Sequence, residues 1–146
     1  MRSITFFTFG LTAILLLSCS KHKEEDMLDM SCESAMCTDM LVTISAKVVD
    51  NQGKPVALTQ TRVTRLSNGE VLTNPFAKED WRLYQQYGNY PIVSDLHDKV
   101  LPKFKKIPVR FQGYIGSKEV INTIYTVAFD CCHISLISGE REIVVR

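Results

Sequence analysis

The sequence lacks an excess of charge of either sign, a long apolar run and the short motifs of common enzyme classes. It has 17 Lys and Arg against 16 Asp and Glu, a formal net charge of +1, so its charge does not indicate a nucleic-acid partner. No glycine-rich phosphate loop, GxSxG elbow, HExxH or CxxC motif occurs. With 146 residues, of which 45% are hydrophobic and 23% charged, the composition is that of one folded domain.

A short apolar segment at the N-terminus predicts an export signal. Arg2 precedes an apolar run that ends in Leu16-Leu17-Ser18-Cys19. This run is shorter than the roughly 20 residues of a membrane-spanning helix, so residues 1–18 are predicted to be a signal peptide. Its last four residues resemble the lipobox of bacterial lipoproteins. The resemblance implies a diacylglyceryl group on the Cys19 thiol, cleavage before Cys19 and acylation of the new amine, which together give a stable anchor.

The segment 19–40 is predicted to be a tether between the lipidated cysteine and the folded domain. Its first part, Ser20 to Asp26, contains no apolar residue and is therefore expected to be solvated. The acidic end of this stretch, Glu24-Glu25-Asp26, resembles the export signal of lipoproteins displayed on the surface of some Gram-negative bacteria. We therefore expect an outer-membrane lipoprotein that is either exposed at the cell surface or faces the periplasm.

Alternating apolar and polar residues predict β-strands from Leu41 onward. The clearest run has four apolar residues separated by polar ones, Val42, Ile44, Ala46 and Val48. The same period of two, which places one set of side chains on a buried face, recurs at 107–111 and 120–129. Turn residues separate the apolar runs at intervals of about 8 to 12 residues. The pattern predicts an all-β, immunoglobulin-like (prealbumin-type) antiparallel sandwich of about seven strands over residues 41–146.

One aromatic-rich stretch departs from this pattern and predicts a short helix near residues 76–87, opened by Asn74-Pro75 and closed by Gly88. Its aromatic rings either pack over one end of the sandwich or form a platform for a ligand. The lysines that follow, between 99 and 106, either solvate a loop or attract anionic lipid head groups or acidic glycans. We predict a binding surface of aromatic and basic residues here: Trp81, Tyr84, Tyr87, Lys103 and Lys105.

The segment VTISAKVVDNQGKPV, residues 42–56, carries a resemblance to a known family. It resembles the opening hairpin of carboxypeptidase-regulatory-like and transthyretin-like domains, in which a strand, an acidic-Gly-Lys-Pro turn and a second strand begin an immunoglobulin-like sandwich. Small lipoproteins of this type share the layout of residues 39–146. The resemblance implies an accessory or binding module and brings no catalytic residue to this chain.

Four cysteines remain after Cys19: Cys32, Cys37, Cys131 and Cys132. An even number of cysteines in an exported chain predicts disulfide bonds. A bridge between the neighbours Cys131 and Cys132 would close a strained eight-membered ring, which disfavours one of the three pairings. The other two remain open, and both join the N-terminal segment to the last hairpin.

A soft-metal site is the alternative use of the same part of the chain. Thiolate and thioether sulfur bind Cu(I), and a cluster of cysteine and histidine also binds zinc. The spacing of these residues matches no common metal motif. The candidate ligands of such an envelope protein are Cys32, Met36, Cys37, Cys131, Cys132 and His133.

Enzymatic activity has little support in the sequence. Neighbours along a strand point to opposite faces, so Cys132 and His133 are not expected to meet as nucleophile and base. His97 lies in a polar stretch and is expected to be exposed to solvent. We therefore expect a membrane-anchored binding or assembly module that has no catalytic activity and no cofactor. Its expected partners are the membrane and envelope proteins or glycans.

Overall fold

The described part of the chain consists mainly of strands built from alternating apolar and polar residues. The computed structural model describes residues 32–73 and 78–146. The predicted signal peptide, Cys19 and the first part of the predicted tether lie outside the described residues. Within those residues the strands are β1 (Thr43–Val49), β2 (Gln60–Arg65), β3 (Asn89–Ser94), β4 (Ile107–Ile115), β5 (Lys118–Phe129), β6 (Ile134–Ser138) and β7 (Glu142–Val144).

These seven strands of the described chain form two sheets that pack face to face. One sheet has the order β3-β1-β7 and the other the order β2-β4-β5-β6. Neighbouring strands run antiparallel, except that β1 pairs with β7 in parallel. Large side chains fill the space between the sheets and are almost fully buried, among them Tyr90, Phe111, Tyr125 and Phe129. The prediction of an all-β sandwich of about seven strands is confirmed.

The predicted turn after β1 forms, but it leads the chain into the other sheet. The Asp50 carboxylate accepts hydrogen bonds from the backbone N–H groups of Gln52 and Lys54, at 2.8 and 3.0 Å. Pairing across this turn is limited to a bridge between Val49 and Pro55. The next strand, β2, pairs with β4 in the second sheet. The expected opening strands therefore lie in opposite layers.

Two buried tyrosines bind the connections that follow β1 and β6. The Tyr90 hydroxyl accepts a hydrogen bond from the Leu58 N–H at 2.7 Å and donates one to the Val56 carbonyl at 2.8 Å. The Tyr125 hydroxyl donates to the Glu140 carbonyl at 2.6 Å. Burial raises the pKa of Tyr125 to about 12, so it remains a donor at neutral pH.

The predicted helix is present as α1 (Lys78–Tyr87); residues 74–77, with the proposed start of the helix, lie outside the described residues. Glu79 and Asp80 occupy its first turn, where a negative charge is favourable because of the helix dipole. The Trp81 ring packs 5.6 Å from that of Tyr90, and the Gln85 amide donates to the Leu58 carbonyl at 2.8 Å. The helix thus covers the open side of the sandwich between β2 and β3.

Gly88 ends α1 as predicted and makes a close approach to β1. Its φ is +65°, and an added Cβ would lie 2.5 Å from the Val48 carbonyl oxygen. Gly53 has a similar φ of +76° but nothing within 4 Å of the corresponding Cβ position. A side chain at position 53 would therefore introduce backbone strain alone, whereas one at position 88 would add a steric clash.

We expect Gly88→Ala to lower the free energy of unfolding by about 3 kcal/mol, because the strain of a left-handed residue adds to a clash with β1. Gly53→Ala should cost about 1 kcal/mol, from strain alone. Urea unfolding of the two variants and the parent measures the difference. Equal losses in the two variants would contradict the tight contact at Gly88.

Candidate functional site

Two disulfide bonds in the described residues join the N-terminal segment to the turn between β5 and β6. Cys32 pairs with Cys131 and Cys37 with Cys132, and both pairs have a Cα–Cα distance of 5.2 Å. The prediction of disulfides is confirmed, and the structure selects one of the two pairings that the sequence left open. We call this end of the sandwich, formed by residues 32–42, 94–106 and 130–133, the disulfide end.

A hydroxyl, an imidazole and a carboxylate lie in line at the disulfide end. The Nδ1 atom of His133 lies 2.8 Å from Oδ2 of Asp95, and its Nε2 atom lies 3.0 Å from the Thr38 hydroxyl. Because an ionised carboxylate only accepts hydrogen bonds, Nδ1 carries a proton toward Asp95. In neutral His133 the Nε2 atom then accepts the Thr38 hydroxyl proton, and in protonated His133 it donates to the hydroxyl oxygen.

The Asp95 carboxylate is the centre of this cluster. It accepts hydrogen bonds from the backbone N–H groups of Val42 and Ile134, both at 2.8 Å, in addition to the bond from His133. Its side chain is 13% exposed. Burial acts to raise the pKa of Asp95, but the hydrogen bonds from His133, Val42 and Ile134 outweigh burial and lower it. The carboxylate is therefore ionised at neutral pH and links three segments of the chain.

Asp130 fixes the turn that presents the cysteines and His133. Its Oδ1 atom accepts hydrogen bonds from the N–H groups of Cys132 and His133, both at 2.7 Å, and these bonds lower the pKa of Asp130. Lys103 donates to the Cys131 carbonyl at 2.6 Å. The turn is thus held by Asp130 from within and by Lys103 from the preceding loop.

An open groove of about 520 Å³ lies beside His133. A hydroxyl, an imidazole and a carboxylate in this order form the catalytic triad of serine hydrolases, in which the imidazole accepts the hydroxyl proton. The same arrangement allows His133 to act as a base toward the Thr38 hydroxyl. The apolar and polar residues that line the groove include Thr38, Met40, Leu41, Asp95, Leu96, Lys99, Lys103 and His133.

The sequence did not reveal Thr38 and Asp95 as the partners of His133. They lie 95 and 38 positions away from it, and no local pattern joins residues so far apart. The expectation that His97 faces solvent is wrong, since its side chain lies in the interior. The Ser94 N–H donates to its Nδ1 atom at 3.2 Å, and its Nε2 atom lies 2.8 Å from the Leu72 carbonyl oxygen. His97 therefore braces two backbone segments.

The residues of the alternative metal site are used in other ways. The four cysteines form disulfides and so offer no thiolate, and His133 is bonded to Asp95 and Thr38. Met36 is 98% exposed. In residues 32–73 and 78–146, no group of three or more His, Cys, Asp or Glu side chains is arranged to hold a metal ion.

The five residues of the predicted binding surface are spread over different parts of the fold. Trp81 and Tyr84 are partly buried and pack against the core, while Tyr87 is 60% exposed. Tyr84 lines a groove along β3, Trp81 lines another beside β2, and Lys103 lines the groove at the disulfide end. Lys105 is exposed in the loop before β4. Packing over the sandwich, the first of the two uses considered for the aromatic stretch, accounts for Trp81.

Comparison of the chain with protein-family models, curated proteins and solved structures gave no significant match. Across the two described ranges, no helix is long and apolar enough to cross a membrane.

The two disulfides should stabilise the fold in a strongly non-additive way. In the chain-entropy model either bridge alone closes a loop of nearly 100 residues and contributes about 4.7 kcal/mol, but the second closes a ring of only about eight residues and adds about 2.5 kcal/mol. Replacing either pair by serine should therefore cost about 2.5 kcal/mol, and replacing both pairs about 7 kcal/mol.

Urea unfolding of the full chain without reductant measures these losses, and peptide mapping verifies the remaining bridge in each double variant. The prediction would be contradicted if the losses of unfolding free energy simply added, or if removal of one pair had no effect. Either result would mean that the two bridges do not constrain the same loop.

We expect Asp95→Asn to lower the free energy of unfolding by about 2 kcal/mol at pH 7, because it removes an ionised acceptor of three hydrogen bonds. A carboxylate whose pKa is lowered by folding stabilises the protein above its unfolded value, about 4, and loses that effect as the pH falls through its folded value. The difference between parent and variant should therefore shrink below pH 4.

Asp39→Asn is the matched control, since exposed Asp39 lines the same groove and its replacement should change stability by less than about 0.5 kcal/mol. Chemical unfolding from pH 3 to pH 7 gives both curves. A loss at Asp95 that stays constant down to pH 3 would argue against the ionised carboxylate as its source.

Proposed function

We propose that the chain is an envelope lipoprotein, anchored in the outer membrane by acyl groups on Cys19, and that its sandwich is a binding or assembly module without catalytic activity. The observation that carries this proposal is the pair of disulfides at the disulfide end. Disulfides persist in oxidising compartments and are rare in the bacterial cytosol. The same compartment is the destination implied by the signal peptide and the lipobox-like Leu16-Leu17-Ser18-Cys19.

The place of the disulfides along the chain supports a tethered domain. Cys32 and Cys37 lie within the predicted tether, residues 19–40, and bind the turn between β5 and β6. The tether is therefore joined to the sandwich at residues 32 and 37, and the polar stretch 20–26 separates these residues from Cys19 in the sequence. A two-sheet sandwich also agrees with the resemblance to transthyretin-like modules, which implies an accessory role with envelope proteins or glycans as partners.

In this proposal the cluster of Thr38, His133 and Asp95 is a structural joint. Asp95 receives the backbone N–H groups of Val42 and Ile134 besides His133, so the carboxylate is connected to the segment before β1 and to the start of β6. Thr38 lies next to Cys37, whose bridge to Cys132 fixes it beside His133. The hydrogen bonds that give the cluster the arrangement of a catalytic triad are therefore also those that close this end of the sandwich.

The anchor is tested by expression of the full chain in a Gram-negative host and mass spectrometry of its N-terminal peptide. We expect a mature chain that begins at Cys19 with a diacylglyceryl thioether and an acylated amine. Cys19→Ser should remove the acyl groups and leave the precursor uncleaved, while the neighbouring Ser20→Ala should keep the parent's mass pattern.

An unmodified Cys19 thiol, or a chain that retains Met1 in the membrane fraction, would overturn the anchor. The non-catalytic role has its own check on the same purified protein, which is incubated with a fluorophosphonate probe that labels activated hydroxyls. A covalent adduct on Thr38 that disappears in His133→Gln would replace the binding module by an acyl-transfer enzyme.

A further inference from the structure

We infer that the disulfide end lies against the phospholipid bilayer and inserts Met40, Leu41 and Leu96 into the lipid interface. This inference rests on the proposed anchor at Cys19. The three side chains are 69%, 58% and 68% exposed, respectively. They line one groove at the disulfide end, so their apolar side chains face the same space and are not scattered over the surface.

The opposite end of the sandwich has a different character. Following the strands away from the disulfide end leads to the turns 50–55, 116–117 and 139–141. These turns consist of Asp, Asn, Gln, Gly, Lys, Pro, Ser, Glu and Arg residues, without a large apolar side chain. The exposed apolar residues at this end, Tyr87, Ile115 and Val144, belong to α1, β4 and β7, whereas Met40, Leu41 and Leu96 line one groove. If one end of the sandwich contacts lipid, this difference favours the disulfide end.

The length of the tether also favours this orientation. Cys32 follows Cys19 by 13 positions, a separation of at most about 45 Å when fully extended and about 20 Å on average for a flexible chain. The 12 residues of β5 make the sandwich about 40 Å long between its two ends. To bring the opposite end to the membrane, the tether would have to extend almost completely along the domain.

The charges around the groove indicate that apolar contact carries the attachment. Lys99 and Lys103 line the groove, but so do Asp39 and Asp98. A rim with both signs gives little net attraction to anionic lipid. In this orientation the lysine ammonium groups would lie beside the head-group phosphates. Long cationic side chains can reach water there while their stems remain among apolar groups. We therefore expect the contact to depend only weakly on salt.

The test uses the purified full-length lipoprotein in vesicles of phosphatidylethanolamine and phosphatidylglycerol that contain a photoactivatable phosphatidylethanolamine with a diazirine near its head group. After illumination, mass spectrometry locates the cross-linked peptides. We expect cross-links within residues 36–41 and 95–100. Leu96→Gln should lower the yield at 95–100 by about threefold or more, because it removes apolar contact with lipid.

Leu83→Gln is the matched control, since Leu83 is 50% exposed on α1 and outside the disulfide end. It should leave the yields unchanged. Cross-links on α1, on the turns 50–55 or 139–141, or nowhere in residues 32–146 would overturn the inference. So would cross-links at the disulfide end that Leu96→Gln does not reduce.

The mass of the N-terminal peptide separates this failure from failure of the anchor. Acylated Cys19 together with cross-links in the wrong place refutes the orientation and leaves the lipoprotein intact. An unacylated Cys19 refutes the proposed function, and the orientation with it.

Discussion

The carboxylate of Asp95 joins the two sheets at a point where no strand pairing connects them. It follows β3, receives the N–H group just before β1 and receives the first N–H group of β6. Since β1 and β3 belong to one sheet and β6 to the other, one side chain ties both layers together at the disulfide end. A partly buried acceptor of this kind must be satisfied by several donors at once, which explains why the segment before β1 and the start of β6 both converge on it.

The architecture was largely predictable from the sequence because strand periodicity and turn chemistry are local properties. The alternation around Ile44 and Ala46 predicted β1, and Gly88 predicted the end of α1. The assignment of strands to sheets was not predictable, because the turn after β1 looks the same whether the chain returns to its own sheet or crosses to the other. The crossover is held by hydrogen bonds to Tyr90, which lies more than 30 positions away and which no local pattern connects to this turn.

The candidate site was harder to predict for the same reason. Cysteine counting predicted the bridges because covalent bonding depends on number and compartment, yet the choice between two pairings depends on the geometry of one turn. His97 was misjudged because its neighbours Asp95 and Asp98 are polar, whereas its side chain turns inward to backbone groups of Ser94 and Leu72. The environment of a histidine depends on contacts distant in sequence.

The order of the bridges has a mechanical consequence for a domain held by its N-terminus. A force applied through residue 32 passes across the bond to Cys131 and into the β5–β6 hairpin of the larger sheet. Without the bridges, the backbone would transmit the same force to β1, which pairs with β3 and β7 in the smaller sheet. Covalent bonds therefore bear the load, and β1 is spared the shear that would otherwise strip it from its neighbours.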